Sequence, residues 1–369
     1  MSTATRNRVW NFSAGPAMLP VTVLEAIAAD LMSYGSSGES VMEMSHRSRV
    51  FISIFEEAQA CLRRLLGVGD EYEILFLQGG ARLQNLMIPM NFLSDQNGTA
   101  DYLLTGAWGR YSARDAARFG QINIAWTDEA NNFRNLPSSG SANLSDSAAY
   151  VHLTSNETIH GVQFQDVSEF NRSAPLIADC SSDFLSRPMD VSQFGMIYSC
   201  AQKNAGIAGL TIVVIKKELL QRTEDNAPGY LSYAAHAAAG GMYNTPPTFP
   251  IYVTGLITKW IEQDVGGLEA MAQRNREKAN LLYGALDRAS EFYSVHPALD
   301  ARSEMNVCFR TPNSDLDSLF CKNALEHGLS DLKGHRSVGG IRASIYNAMP
   351  LEGVAELVDF LNGFATRNG

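Results

Sequence analysis

From about residue 50 onward, short apolar runs of strand length alternate with segments whose apolar residues recur at helical spacing. Between Val50 and Leu66, the residues Phe51, Ile54, Phe55, Ala58, Leu62 and Leu65 fall on one face, which predicts an amphipathic helix. Strand-like runs follow at Glu73–Leu77, Tyr102–Thr105, Ile122–Trp126, Ala149–Leu153, Leu176–Asp179, Met196–Ser199 and Leu210–Ile215. Several are separated by helical segments, and that alternation predicts a largely parallel α/β sheet covered on both faces. The Pro-rich stretch Thr245–Pro250 predicts a loop before a long helix beginning near Ile251. After about Trp260 the pattern changes. A helix from roughly Leu268 to Arg288, a strand near Met305–Arg310, a helix near Leu316–His327, a strand near Gly340–Tyr346 and a last helix predict a smaller α/β domain. The expected division is a large domain over 1–260, N-terminal segment included, and a small C-terminal domain over 261–369. Gly35–Gly38 and Ser138–Ser141 read as loops, and no internal repeat is visible.

Composition narrows the class. The 369 residues are 45% hydrophobic and 18% charged, ordinary for a globular protein and enough for two domains. A formal net charge of −10 with no Lys/Arg-rich stretch argues against nucleic acid as a partner. Five scattered cysteines without a C-x-x-C pair predict reduced thiols in a cytoplasm rather than a disulfide framework or zinc site. Seven histidines without an i, i+4 pair give a metal site no support. The N-terminus lacks the basic-then-apolar pattern of a secretory signal, and no apolar run reaches membrane-spanning length.

The candidate chemistry centres on Lys203, in Tyr198-Ser-Cys-Ala-Gln-Lys-Asn-Ala-Gly-Ile-Ala-Gly-Leu210. This lysine sits in a Gly-punctuated loop between two strand-like runs, a poor place for a merely solvated charge. A neighbouring run ends on Asp179. An amine and an acid at the ends of adjacent strands form the frame that grips pyridoxal phosphate, the lysine as Schiff base and the acid against the pyridine nitrogen. Asp179 could equally cap a helix, as could Ser181 or Ser182. The run Leu75-Phe-Leu-Gln-Gly-Gly-Ala-Arg82 reads as strand, turn and helix start, a cup for phosphate or simply a tight turn. Trp108 follows a strand and reads as packing or as a stacking surface; Thr158 reads as a turn hydroxyl.

The segments Asn11-Phe-Ser-Ala-Gly-Pro16, Ser40–Ser48, Ala178-Asp-Cys-Ser-Ser-Asp-Phe184, Tyr243-Asn-Thr-Pro-Pro-Thr248, Lys333–Gly340 and Arg342–Met349 together resemble the phosphoserine aminotransferase family of class-V, fold-type-I enzymes. The resemblance runs from about Asn11 to the last helix. It implies an aspartate-aminotransferase-like fold with a seven-stranded mixed sheet, pyridoxal 5'-phosphate as cofactor, and a homodimer with shared sites. It assigns Lys203 and Asp179 to catalysis, and Ala81, Arg82, Trp108, Thr158, Gln202, Asn244 and Thr245 to the cofactor, the last two from the partner subunit. It assigns Ser13, His46, Arg47, Arg82, His335, Arg336 and Arg342 to substrate, with Arg342 on the α-carboxylate and His46 and Arg47 from the second subunit. The implied substrates, L-glutamate and 3-phosphohydroxypyruvate, each carry two anionic ends that converging arginines suit. The implied products are 2-oxoglutarate and phosphoserine. Some relatives also use 4-phosphohydroxy-L-threonine. Ile207, where proline is common, and the bland Ala237–Gly241 depart from the family pattern. Rival readings are a cysteine desulfurase on the same fold, for which Cys200 and Cys321 are weak nucleophiles, and an alanine–glyoxylate-type transaminase.

Overall fold

The computed structural model describes residues 8–93, 98–170, 174–223 and 227–369. Its centre is a seven-stranded sheet built from β1 (Tyr72–Leu77), β2 (Thr99–Leu104), β3 (Gln121–Thr127), β4 (Val151–Thr154), β5 (Leu176–Asp179), β6 (Met196–Cys200) and β7 (Thr211–Lys216). Their order across the sheet is β1-β7-β6-β5-β4-β2-β3. Each matches a run predicted from the apolar pattern within a few residues.

The sheet is mixed for a simple reason. Strands β2 to β6 run parallel to one another, whereas β7 runs antiparallel to both β6 and β1. Only residues 201–210 join β6 to β7. A parallel return needs a crossover of a dozen or more residues, so this short connection forces the reversal. Lys203 lies within it.

Alternation along the strands feeds two apolar layers. Ile74, Phe76, Ile197, Ile212 and Val214 pack with Phe51, Phe55, Leu62, Ile251 and Ile257, which lie on the helices Arg49–Leu66 and Thr248–Lys259. Leu75, Leu77, Met196, Tyr198 and Val213 pack with Met87, Ile88 and Ala113 from the helices Gly80–Phe92 and Ala107–Ala116. The helix expected near Ile251 begins three residues earlier, with Pro250 inside its first turn. Proline is tolerated there because a first-turn N–H has no intrahelical acceptor. This helix runs on as a π-helical turn over Trp260–Val265 before Gly266 ends it.

The C-terminal layer is an antiparallel sheet of Ser294–Val295, Asn306–Arg310 and Ile341–Ser344, covered by the helices Leu268–Arg288 and Leu351–Asn368. The N-terminal segment is built into it: Trp10–Asn11 pairs in parallel with Leu329–Ser330, and Phe12 and Met18 join a core with Leu282, Phe309, Phe320 and Leu361. No helix among the described residues is long and apolar enough to cross a membrane.

One histidine in the sheet carries a titration consequence. His152, wholly buried on β4, stacks on Tyr102 with ring centroids 4.8 Å apart, and its Nε2 lies 3.0 Å from the Tyr198 hydroxyl. Its Nδ1 has no partner, and burial pushes its pKa down from 6.5 to about 3. The folded protein therefore keeps His152 neutral where the unfolded chain protonates it. Its contribution to stability is complete above pH 6.5 and is lost as pH falls toward 3, at about 1.4 kcal/mol per pH unit. We expect His152→Gln to flatten the loss of stability between pH 7 and 5.5 by about 1 kcal/mol, read from urea unfolding of the apoprotein. An unchanged pH slope in the variant would contradict this account.

Candidate active site

The C-terminal ends of β4, β5 and β6 open into one cavity of about 340 Å³. That position, beyond the carboxyl ends of parallel strands, is where open α/β sheets bind ligands. Ala81, Arg82, Trp108, Thr158, Asp179, Gln202, Lys203, His335 and Arg342 all line it. Lys203 stands three residues past β6, and its Nζ donates to Thr158 Oγ1 at 3.1 Å. The N-terminal loop passes directly over the lysine stem: a Cβ on Gly15 would lie 3.4 Å from Lys203 Cγ, and Ala17 N–H donates to the Gln202 carbonyl.

Asp179 is the last residue of β5 and is buried. Burial raises its pKa, while the charge of Lys203 and hydrogen bonds from Ser181 pull it down. Its Oδ1 accepts the Ser181 N–H at 2.9 Å, which closes a turn; no helix among the described residues starts there for it to cap. The carboxyl group nonetheless lines the cavity.

On the opposite wall, Gly79 adopts φ +89° and ends the strand-to-helix turn without a side-chain cap for the helix Gly80–Phe92. The left-handed φ and the nearby Leu83 side chain both require glycine here. An uncapped helix start aimed into a cavity is a site for an anion. Ala81 N–H already donates to Cys200 Sγ at 3.1 Å.

Trp108 lies in the first turn of the helix Ala107–Ala116, and its buried indole Nε1 has no partner. The Arg82 guanidinium sits 5.3 Å from its ring and 4.5 Å from that of Tyr111, with Asp115 at 3.9 Å. Arg342 comes from the strand Ile341–Ser344, and its buried Nε is also unpartnered. His335 faces the same space; burial and the charges of Arg342 and Arg336 lower its pKa.

Other expected residues stay outside this cavity. Ser13 adjoins its lining residues Ala14 and Gly15, and its Oγ accepts the Gly15 N–H. His46 and the exposed Arg47 lie in the loop before the helix Arg49–Leu66. Asn244 and Thr245 are exposed, with Asn244 Nδ2 3.4 Å from Gln78 Oε1, beside the Gly79 turn. Arg336 is exposed next to His335.

Several residues at the site escape sequence reasoning. Glu157, fully buried beside Thr158, accepts the backbone N–H groups of Trp108 and Gly109 at 3.1 and 2.8 Å. Asn156 and Ser182 line the cavity and bond to each other at 2.8 Å. The only hint is a polar run, Ser155 to Thr158, where a strand enters the core.

Pyridoxal phosphate fits these residues on internal grounds. The cavity offers an amine and a buried acid on one side, an uncapped helix start on another, and unpartnered donors on Trp108 and Arg342.

Comparison with known proteins agrees. Residues 9–357 match the aminotransferase class-V family. A phosphoserine aminotransferase of Laribacter hongkongensis is 50% identical over 361 residues, spanning 98% of this chain and 99% of its own. The structure of phosphoserine aminotransferase from Bacillus circulans subsp. alkalophilus superposes with a TM-score of 0.95 at 46% identity, covering 98% of this chain and 99% of that one. PLP-bound phosphoserine aminotransferase from Trichomonas vaginalis gives a TM-score of 0.91 at 40% identity, over 96% and 100% of the two chains. The chain belongs to the class-V aminotransferases, in the phosphoserine aminotransferase family.

Proposed function

We propose that this chain is a pyridoxal-phosphate-dependent phosphoserine aminotransferase. It moves an amino group reversibly between L-glutamate and 3-phosphohydroxypyruvate, giving 2-oxoglutarate and O-phospho-L-serine for serine biosynthesis. The observation that carries this reading is Lys203 and Asp179 in one cavity with Arg82, His335 and Arg342, in a chain 50% identical to an enzyme of that name. When bound, the cofactor supplies the electron sink that makes the substrate's Cα proton acidic.

The chain's own residues do the rest. Lys203 would hold the cofactor through its amine, and that amine is placed to move the proton at the substrate Cα as base and then as acid. Thr158, 3.1 Å from its Nζ, holds that amine in place. Asp179, which lines the cavity, would keep the pyridine nitrogen protonated, and that cation would in turn favour the ionised acid. Trp108 would stack on the cofactor ring, and Gln202, Ala81 and Arg82, which line the same cavity, would hold its ring and phosphate.

For substrate, Arg342 takes the α-carboxylate by a planar, bidentate grip. Arg82 and His335, which line the cavity, would take the distal phosphate or the side-chain carboxylate of glutamate, with Arg336 beside His335 and Ser13 beside Ala14 as further substrate contacts at its edge. The chain's own His46, Arg47, Asn244 and Thr245 do not line the cavity, which supports a homodimer in which a second copy supplies them. The same two anion clamps suit 4-phosphohydroxy-L-threonine, and with it a role in pyridoxine biosynthesis. Free thiols at all five cysteines suit a reducing cytoplasm.

The desulfurase alternative loses ground on electrostatics. Burial raises the pKa of Cys61, Cys180, Cys200, Cys308 and Cys321 alike, so none is prepared as a thiolate nucleophile. Alanine–glyoxylate chemistry gives no reason for the cluster of cations.

Two measurements test the proposal. L-Phosphoserine should rapidly bleach the visible absorbance of the yellow holoenzyme in a single half-reaction, while alanine and aspartate leave it unchanged. Bleaching by alanine or aspartate alone would overturn the substrate assignment. Separately, Lys203→Ala should remain a folded protein yet lose at least about 10³-fold in turnover; wild-type turnover in that variant would remove the lysine from the mechanism.

A further inference from the structure

We propose that Glu157 is the positioning residue for Trp108: its buried carboxylate fixes the first turn of the helix Ala107–Ala116, so that the indole forms one wall of the cofactor cavity. The inference rests on the cofactor reading above.

The geometry is a cap delivered from far along the chain. The helix Ala107–Ala116 receives no side-chain cap from its own N-cap residue, Gly106. Instead Glu157 Oε2 accepts Trp108 N–H at 3.1 Å and Oε1 accepts Gly109 N–H at 2.8 Å, a two-point grip on the first turn. Gly106 makes room for it. A Cβ at that position would lie 2.3 to 2.6 Å from the Glu157 side chain. Since φ there is 175°, the need for glycine comes from this approach and not from backbone strain.

The arrangement is expensive as a cap alone. Glu157 is 0% exposed, and burial raises its pKa to about 7; the two N–H groups and Lys203 oppose that rise, while Asp179 adds to it. A serine or aspartate at the N-cap would satisfy such donors near the surface without burying a carboxyl group. What the longer route adds is a link between two walls. Glu157 belongs to the hairpin Asn156–Glu157/Val162–Gln163, which runs straight into Thr158, the partner of Lys203 Nζ. Through Glu157 this hairpin and the helix bearing Trp108 become one frame. Glu157 itself does not line the cavity, so its effect on the cofactor passes through the groups it holds.

The test is a double-mutant cycle on cofactor binding, with Glu157→Gln, Trp108→Ala and the double variant. Glutamine keeps the shape but presents a donor to one of the two N–H groups, so one grip is lost. We expect E157Q to weaken pyridoxal phosphate binding to the apoprotein by about tenfold and to reduce the visible circular dichroism of the bound ring. In the W108A background the same change should cost less than about twofold, because the group it positions is gone. If E157Q does not fold, Glu157→Asp takes its place: it keeps the charge but cannot reach both donors, and the same non-additive pattern is expected. A full tenfold effect persisting in W108A, or wild-type binding and dichroism in the singly substituted protein, would overturn the proposal. Failure of the wild-type apoprotein to take up the cofactor would instead remove the functional reading on which it rests.

Discussion

Burying carboxyl groups at the C-terminal end of the sheet is the constraint that organises this molecule. Glu157, Asp179 and Asp183 are all buried within one short stretch of space, and burial raises the pKa of each. A carboxylate removed from water with nothing to accept neutralises or destabilises the fold. Each of the three is therefore tied to donors that dictate where other elements lie. Glu157 takes the start of a helix. Asp179 takes the turn at Ser181 and the field of Lys203. Asp183 takes Ser155, Gln163 Nε2 at 3.2 Å and Arg187 at 3.6 Å. The donors arrive from separate parts of the chain, so satisfying the acids and assembling the cavity are one event.

The same economy explains why the cavity has one acid facing the ligand and not three. Two of the carboxyl groups are used up inside the protein, where they set backbone. Asp179 alone keeps part of its capacity open, since one oxygen accepts from Ser181 while the group still lines the cavity. A buried acid with a raised pKa that faces a cavity responds strongly to a neighbouring cation. That is the property a protonated ring nitrogen would use.

Much of this was readable along the chain, and the unreadable part has a physical cause. The central strands were legible because they are buried on both faces and so read as continuous apolar runs, as in Met196–Cys200, whereas the edge strand β3 is largely exposed. Lys203 and Asp179 were legible because each stands just past or at the end of such a run. The helix start at Thr248 was not, because proline signals a break in most contexts and is tolerated only in the first turn. Glu157 was invisible for a different reason. Its partners are backbone groups 48 and 49 residues away, which carry no side-chain signature. Gly106 is the sole mark the pairing leaves in the sequence, and a glycine before a tryptophan reads as an ordinary turn. The resemblance placed His46, Arg47, Asn244 and Thr245 at the site from a second copy, and a single chain leaves them outside the cavity.

The remaining question is how Arg342, on the C-terminal sheet, keeps a fixed bearing on Lys203, in the connection between two strands of the central one. Beside the apolar contact made by Leu268 and Met271, the contact between the two layers carries a polar seam. Asn156 donates to Asn306 Oδ1 at 2.7 Å and accepts from Ser303 Oγ at 2.6 Å; Asn306 donates to Ser344 Oγ at 2.9 Å; Tyr346 donates to the Ala14 carbonyl at 2.9 Å. Behind them, buried Lys278 donates to the carbonyls of Ile345 and Tyr346, and burial lowers its pKa to about 7. An apolar contact of the same size would hold the layers together as well, yet it would tolerate sliding, because dispersion and hydrophobic burial are non-directional. Hydrogen bonds between buried groups permit one register and penalise every other by leaving donors and acceptors unpaired. A transaminase that must hold a carboxylate at one wall and a reacting carbon at the other depends on that register. The polar seam is best understood as the part that sets the distance between Arg342 and Lys203, the clamp and base of the proposed reaction.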